Sequence, residues 1–236
     1  LDPQQDFVLN CVSSAGNGLE GYRKSYVDGQ RSLCKWAAKG QLGTVVYTSA
    51  TSVYPQSEGE WVNETAPTAG VSPTGALLLE SEQVLAEAGP EIGRWFVLRL
   101  GGIYGPQRHF VLDRIRGGDT HFTGSAEGYI NLIRMEDVVS AVEAVFAAPH
   151  GVTNRIYNVV DNHPAKRSEF YGWLAEQCGQ GEVTFDPDAE GQRDNGRRGR
   201  QGRLPNRRVD TRRLREELGW APRYADFRSG FTELLH

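Results

Sequence analysis

The sequence has no stretch of about 20 apolar residues, the length a membrane-crossing helix needs, and no basic segment running into an apolar one, the mark of a secretory leader. Its three cysteines, Cys11, Cys34 and Cys178, lie far apart without a C-x-x-C pair, which excludes a disulfide framework and a cysteine zinc site. The five histidines, His109, His121, His150, His163 and His236, include no pair at ligand spacing, so no metal site is expected. A strong charge of one sign is also missing. With 26 Lys and Arg against 30 Asp and Glu the net charge is -4, which argues against a general nucleic-acid binder. A soluble cytoplasmic protein with reduced thiols is the expectation.

What is present is enough for a globular α/β chain: 236 residues, 39% of them hydrophobic. Phe7 to Val12 is an apolar run of the kind that forms a buried parallel strand. Leu19 to Lys39 places Tyr22, Tyr26, Val27, Leu33 and Trp36 near helical spacing, with Gly29 as a weak point. Thr44 to Thr48 is β-rich and runs into a Ser/Thr loop closed by Pro55. Pro73 then opens a helix over Thr74 to Ala88, and Trp95 to Leu100 is a further strand. Such alternation predicts a parallel sheet covered on both faces, with ligands at the C-terminal ends of its strands. Beyond Pro106 the rhythm changes. Helices near Phe110 to Arg116, Glu136 to Ala147, Ser168 to Cys178 and Phe227 to Leu235, with strands "YINLI" and "RIYNVV", suggest residues 107–236 as a substrate or lid region interleaved with the last elements of a core begun in residues 1–106. No internal repeat is found.

Five stretches occur in an order that points to one family: "VVYTSATSVYP", "SPTGALLLESEQVL", "LRLGGIYGP", "INLIRMEDVVSAV" and "NRRVDTRRLREELGWAPRY". Together they resemble the extended short-chain dehydrogenase/reductases, the group of NAD-dependent sugar-nucleotide epimerases and dehydratases, and within it an atypical bacterial branch. The resemblance implies a Rossmann-like parallel sheet, an NAD or NADP cofactor and a small-molecule substrate of the kind the family uses, such as a nucleotide sugar. A homo-oligomer is compatible with it.

The family's chemistry uses a Tyr acid/base, a Lys four residues later that lowers the Tyr pKa, and a Ser or Thr donor, with the helix setting Tyr and Lys on one face. Here those positions hold Thr74, Leu78 and Ala50. A Thr hydroxyl is far too weak an acid to replace a phenol of pKa about 10. The remaining candidates for catalysis are His109, Thr74, Ser49 and Thr51, with Tyr47 or Tyr54 as a migrated phenol. The opening lacks the glycine-rich turn that holds a pyrophosphate at a helix N-terminus; "SAGNG" has the wrong pattern. The expectation is either that this fingerprint was never present or that the chain is a fragment beginning at an internal strand.

The resemblance places a cofactor near Cys11, Val12 and Ser13 and near Thr48, Ser49, Leu100, Gly101 and Gly102. It brings Asn131, Arg134, Arg207 and Arg208 toward the substrate, and it puts Arg108 and His109 on the rim of the cleft, against a reading of that rim as a solvated loop. Arg197, Arg198, Arg200 and Arg203 belong to a basic loop without aromatic residues to stack on bases. Asp137 is expected to cap the helix it begins, and Glu80 and Glu82 to be solvated. Two functions stay open: an enzyme with a substituted acid/base, and a catalytically silent binder acting as sensor or scaffold.

Overall fold

The computed structural model describes residues 2–14, 16, 18–187 and 205–235. Arg197, Arg198, Arg200 and Arg203 lie outside them, as do two residues of "SAGNG". From the N-terminus, β1 (Gln4–Asn10) leads to α1 (Gly18–Tyr22), a π-helical segment (Arg23–Asp28) and α2 (Gly29–Ala37). Then come β2 (Gln41–Ala50), a 3-10 turn (Thr51–Val53), β3 (Glu60–Val62), α3 (Pro73–Ala86) and β4 (Ile92–Leu100). They are followed by β5 (Gly102–Tyr104), α4 (Phe110–Arg116), β6 (His121–Thr123), β7 (Tyr129–Ile130), β8 (Leu132–Arg134), α5 (Met135–Phe146) and β9 (Arg155–Val159). The last described elements are β10 (Ala165–Lys166), α6 (Arg167–Gln177), β11 (Thr184–Asp186), β12 (Arg207–Val209), α7 (Arg212–Leu218) and α8 (Phe227–Thr232).

The three strands expected from the sequence share one parallel sheet, ordered β1-β2-β4-β9, with Asn10 opposite Tyr47, Ala50 opposite Leu100 and Leu100 opposite Val159. Alternation sorts their side chains. Val45, Tyr47 and Val97 pack on one face with Ala37 of α2 and Leu85 of α3; Val46, Phe96 and Leu98 pack on the other with Ala141 and Val145 of α5 and Leu214 of α7. β1 departs from expectation. It is an edge strand and is not buried: Phe7 is 55% exposed and Leu9 43%, and the strand stops at Asn10, leaving Cys11 and Val12 beyond it. Phe7 meets Phe146 of α5 edge to face.

α3 starts as its sequence directs, with the Ser72 hydroxyl accepting from Gly75 N and Pro73 in the first turn. It approaches the 3-10 turn so closely that a Cβ on Gly75 would fall 2.7 Å from Ser52 O. Its inner face carries Leu78, 3% exposed, against Val53, Tyr54, Val62, Val160 and Val209. Glu82 corrects the expectation of a solvated residue: it is buried and holds Arg99 of β4 through Nη2 at 2.6 Å. Ser49 Oγ donates to Glu82 Oε1 (2.6 Å), Arg99 Nη1 to Tyr54 OH (3.0 Å), and Tyr54 OH to Asn158 Oδ1 (2.7 Å). Asn158 in turn donates from Nδ2 to Asp210 O (3.0 Å) and accepts from Thr211 through its own carbonyl (2.6 Å). One polar chain thus joins α3, the sheet and the segment after β12. Glu80, by contrast, stays half-exposed and pairs with Arg23 and Arg31.

Removing one member of a buried ion pair strands the other charge, at about 3–5 kcal/mol, whereas replacing both by apolar groups is often near neutral. In urea unfolding, Glu82→Leu is expected to lose that amount and Glu82→Leu with Arg99→Met to recover most of it. A single variant within about 1 kcal/mol of wild type would contradict the network's role.

Candidate functional site

A cleft of about 780 Å³ lies just past the C-terminal ends of β2 and β4. The cleft joins the sheet at Thr51 and Gly102 and is walled by lid residues of α4, β7, α6 and α8. Its apolar surface comes from Phe110, Tyr129, Phe170, Tyr171 and Phe231, and its cationic groups are Arg108, Arg167 and Arg207. An apolar hollow with a few convergent polar groups at the strand ends of an α/β sheet is where ligands are expected.

The residues singled out in the sequence divide into three groups. Thr51, Gly102, Arg108, His109, Asn131 and Arg207 are brought together as cleft lining. Arg207 Nη2 donates to Thr51 O (2.7 Å), tying β12 to the 3-10 turn. Asn131 lines the cleft, but its amide donates to Arg207 O (2.9 Å) and accepts from Val209 N (2.8 Å), so it positions β12. Arg108 Nε donates to Ile103 O (3.2 Å). His109 Nδ1 lies 2.8 Å from Asp113 Oδ1 one turn along α4.

A second group sits at the strand ends. Cys11, Val12 and Ser13 are exposed past β1, and Thr48 Oγ1 is 3.4 Å from Asn10 O. Leu100 turns its side chain into the core, while the backbone of Gly101 and Gly102 bonds to Val159 O and Asn131 O. A Cβ on Gly101 would meet Asn131 O at 2.8 Å, which fixes that glycine.

The third group lies away from the cleft. Arg134 is 3% exposed and clasped by Glu136, Glu233 and the Gly230 carbonyl, with its guanidinium over Tyr224. The expectation that it reaches the substrate is therefore corrected: the turn after β8 buries it. Arg208 donates to Gly59 O and stacks on Trp61 and Tyr129. Ser49 is committed to Glu82, and Tyr47 and Tyr54 are buried phenols raised above their ordinary pKa by desolvation. Thr74 sits in the first turn of α3 with its hydroxyl 3.3 Å from Ser72 Oγ, and it does not line the cleft. Asp137 is structural; its carboxylate accepts from Arg223 N and Tyr224 N.

Sequence reasoning missed the aromatic wall and Asp161. Phe170, Tyr171 and Phe231 read as core in the sequence and are core in the structure, each less than 5% exposed behind the cleft, while Phe110 is 44% exposed at its mouth. Asp161 is 4% exposed behind Tyr104, and burial, with Asp226 and Asp137 nearby, pushes its carboxyl from 3.8 up to about 8 against the pull of the His163 N–H. Among the described residues no group of three or more His, Cys, Asp or Glu is placed to hold a metal ion, and no helix is long and apolar enough to cross a membrane.

The parallel sheet with helices on both faces and a crevice past its strand ends defines a Rossmann-like α/β protein. The chain belongs to the NAD dependent epimerase/dehydratase family, whose model matches residues 2–159. Among curated proteins it is similar to Protein YeeZ of Escherichia coli (strain K12), 32% identical over 203 residues. That match covers 85% of this chain and 66% of the relative, so the chain spans just under two thirds of it. Among solved structures it is similar to a functionally unknown conserved protein from Silicibacter pomeroyi, 25% identical with a TM-score of 0.75, over 97% of this chain and 77% of the other. It also shares its fold with the UDP-glucose 4-epimerase of Thermotoga maritima crystallised with UDP-glucose, 20% identical with a TM-score of 0.78, over 98% and 78% of the two chains.

Because the folded pKa of Asp161 is raised, stability is greatest below about pH 4 on its account and falls as pH rises toward 8. The slope is up to about 1.4 kcal/mol per pH unit. Asp161→Asn is expected to flatten this part of the stability–pH curve measured by urea unfolding, and an unchanged slope would contradict the burial argument.

Proposed function

We propose that the chain binds NAD or NADP across the C-terminal ends of β1, β2 and β4 and holds an anionic small molecule of the nucleotide-sugar class in the lid cleft. The observation that carries this reading is the cleft itself: it meets the strand ends at Thr51 and Gly102 and gathers Arg108 and Arg207 beside an aromatic wall. Arginine suits phosphate by charge and by its planar fork of donors, and flat rings suit a base or a sugar face. The family's name carries the cofactor, and the Thermotoga neighbour's UDP-glucose suggests the substrate class.

In this reading the adenine and ribose lie near Cys11, Val12 and Ser13, and the nicotinamide near Thr48, Ser49 and Leu100 to Gly102. Cys11 to Ser13 are exposed past β1, and Thr48 places a hydroxyl near the end of β2. When bound, the nicotinamide supplies hydride transfer. The protein's share is orientation and charge: Arg108 and Arg207 neutralise the substrate's anionic end, and the aromatic wall excludes water. α3 contributes scaffold instead of acid/base chemistry, because Leu78 is core and Thr74 faces Ser72. Three free thiols accord with a cytoplasmic setting, and a homo-oligomer is compatible with this reading.

Calorimetric titration with NAD, NADH, NADP, NADPH and UDP-glucose tests the proposal. Heat is expected with UDP-glucose and with at least one dinucleotide. Arg108→Ala is expected to weaken UDP-glucose about tenfold, the worth of one charge-assisted hydrogen bond, and Thr74→Val to leave it unchanged. No heat with any of the four dinucleotides contradicts the cofactor half, and no heat with UDP-glucose contradicts the substrate half.

A further inference from the structure

The cleft holds one imidazole, and the structure gives it a carboxylate partner. His109 stands at the N-cap of α4 with φ -133° and ψ 45°, Asp113 lies one turn on, and both line the cleft. Nδ1 is 2.8 Å from Asp113 Oδ1. Nδ1 is buried and makes no hydrogen bond in this arrangement, so the carboxylate stands beside it as a partner within reach. Asp113 is half-exposed at its side chain, and His109 keeps 22% of its own accessible.

The other titratable groups lining the cleft are Arg108, Arg167 and Arg207, which stay charged, and the phenols of Tyr104, Tyr129 and Tyr171. Burial, with Asp161 nearby, holds Tyr104 well above the ordinary phenol range. Imidazole is the side-chain type that exchanges protons near neutral pH, and a hydrogen bond from Nδ1–H to a carboxylate selects the tautomer that leaves Nε2 as the acceptor.

We propose that His109 and Asp113 are a proton-exchanging pair serving the lid cleft, in place of the Tyr and Lys that α3 lacks; this rests on the functional reading above. In the step, the O–H bond of a substrate hydroxyl breaks and its electron pair stays on oxygen. An N–H bond forms at Nε2, and the Asp113 carboxylate balances the imidazolium. His109 touches the substrate, and Asp113 is a positioning residue.

The test is acylation of histidines by diethyl pyrocarbonate on the full chain, read peptide by peptide by mass spectrometry, with His163 as the internal reference. Asp113→Asn is expected to slow labelling of His109 about threefold or more relative to His163, because the tautomer is no longer held; equal rates overturn the pair. Circular dichroism of Asp113→Asn keeps a folding defect from being mistaken for this effect. Saturating UDP-glucose is expected to protect His109 at least fivefold. Undiminished labelling with UDP-glucose calorimetrically bound overturns its place in the cleft. Absence of any UDP-glucose heat counts against the functional reading, while the Asp113→Asn comparison still decides the pair.

Discussion

The structure turns on the buried contact between Glu82 of α3 and Arg99 of β4. Both side chains are almost wholly removed from solvent, so each charge requires the other and the remaining donors and acceptors around them. Ser49, Tyr54 and Asn158 supply those, and through Asn158 the network reaches the segment after β12. The position of α3 against the sheet, the 3-10 turn after β2 and the path of β12 are thereby set together. Arg207 then reaches Thr51 from a fixed strand, which closes one side of the cleft.

This anchoring holds the helix in place without a contribution from position 78 beyond packing. Leu78 is packed among Val53, Tyr54, Val62, Val160 and Val209, so the position that carries a lysine in relatives with the full motif is here part of the core. Ser49 is likewise committed to Glu82. Arg108 and His109, just before α4, and Arg207 of β12 instead line one cleft.

Much of the fold was legible because its causes are local. The apolar runs at Phe7, Thr44 and Trp95 each found a place in the parallel sheet, and Pro73 after Ser72 marked the start of α3. What was not legible depends on tertiary partners. Nothing in "FVLN" distinguishes an edge strand from a central one, since that depends on which strand lies beside it. Glu82 looks like an ordinary helix-surface residue until Arg99 is placed opposite. Arg99 itself was the available signal, a charge inside the otherwise apolar "WFVLRL", which demands a buried counter-charge. For the candidate site, Arg108 and His109 were singled out because they follow the strand "WFVLRL", and Arg207 because it precedes "VDT"; the structure places all three in the lining of one cleft. Arg134 was misplaced because the motif gave its position along the chain but not the two carboxylates that take it.

We propose that a ligand is recognised in the cleft between α4, α6 and β12 and not on α3. A crystal structure of the protein with UDP-glucose and NAD tests it most directly. The account predicts the sugar nucleotide between Arg108, Arg207 and the aromatic wall, with His109 beside a sugar hydroxyl and Thr74 out of contact. Density for the sugar against Thr74, with the lid cleft empty, would contradict it.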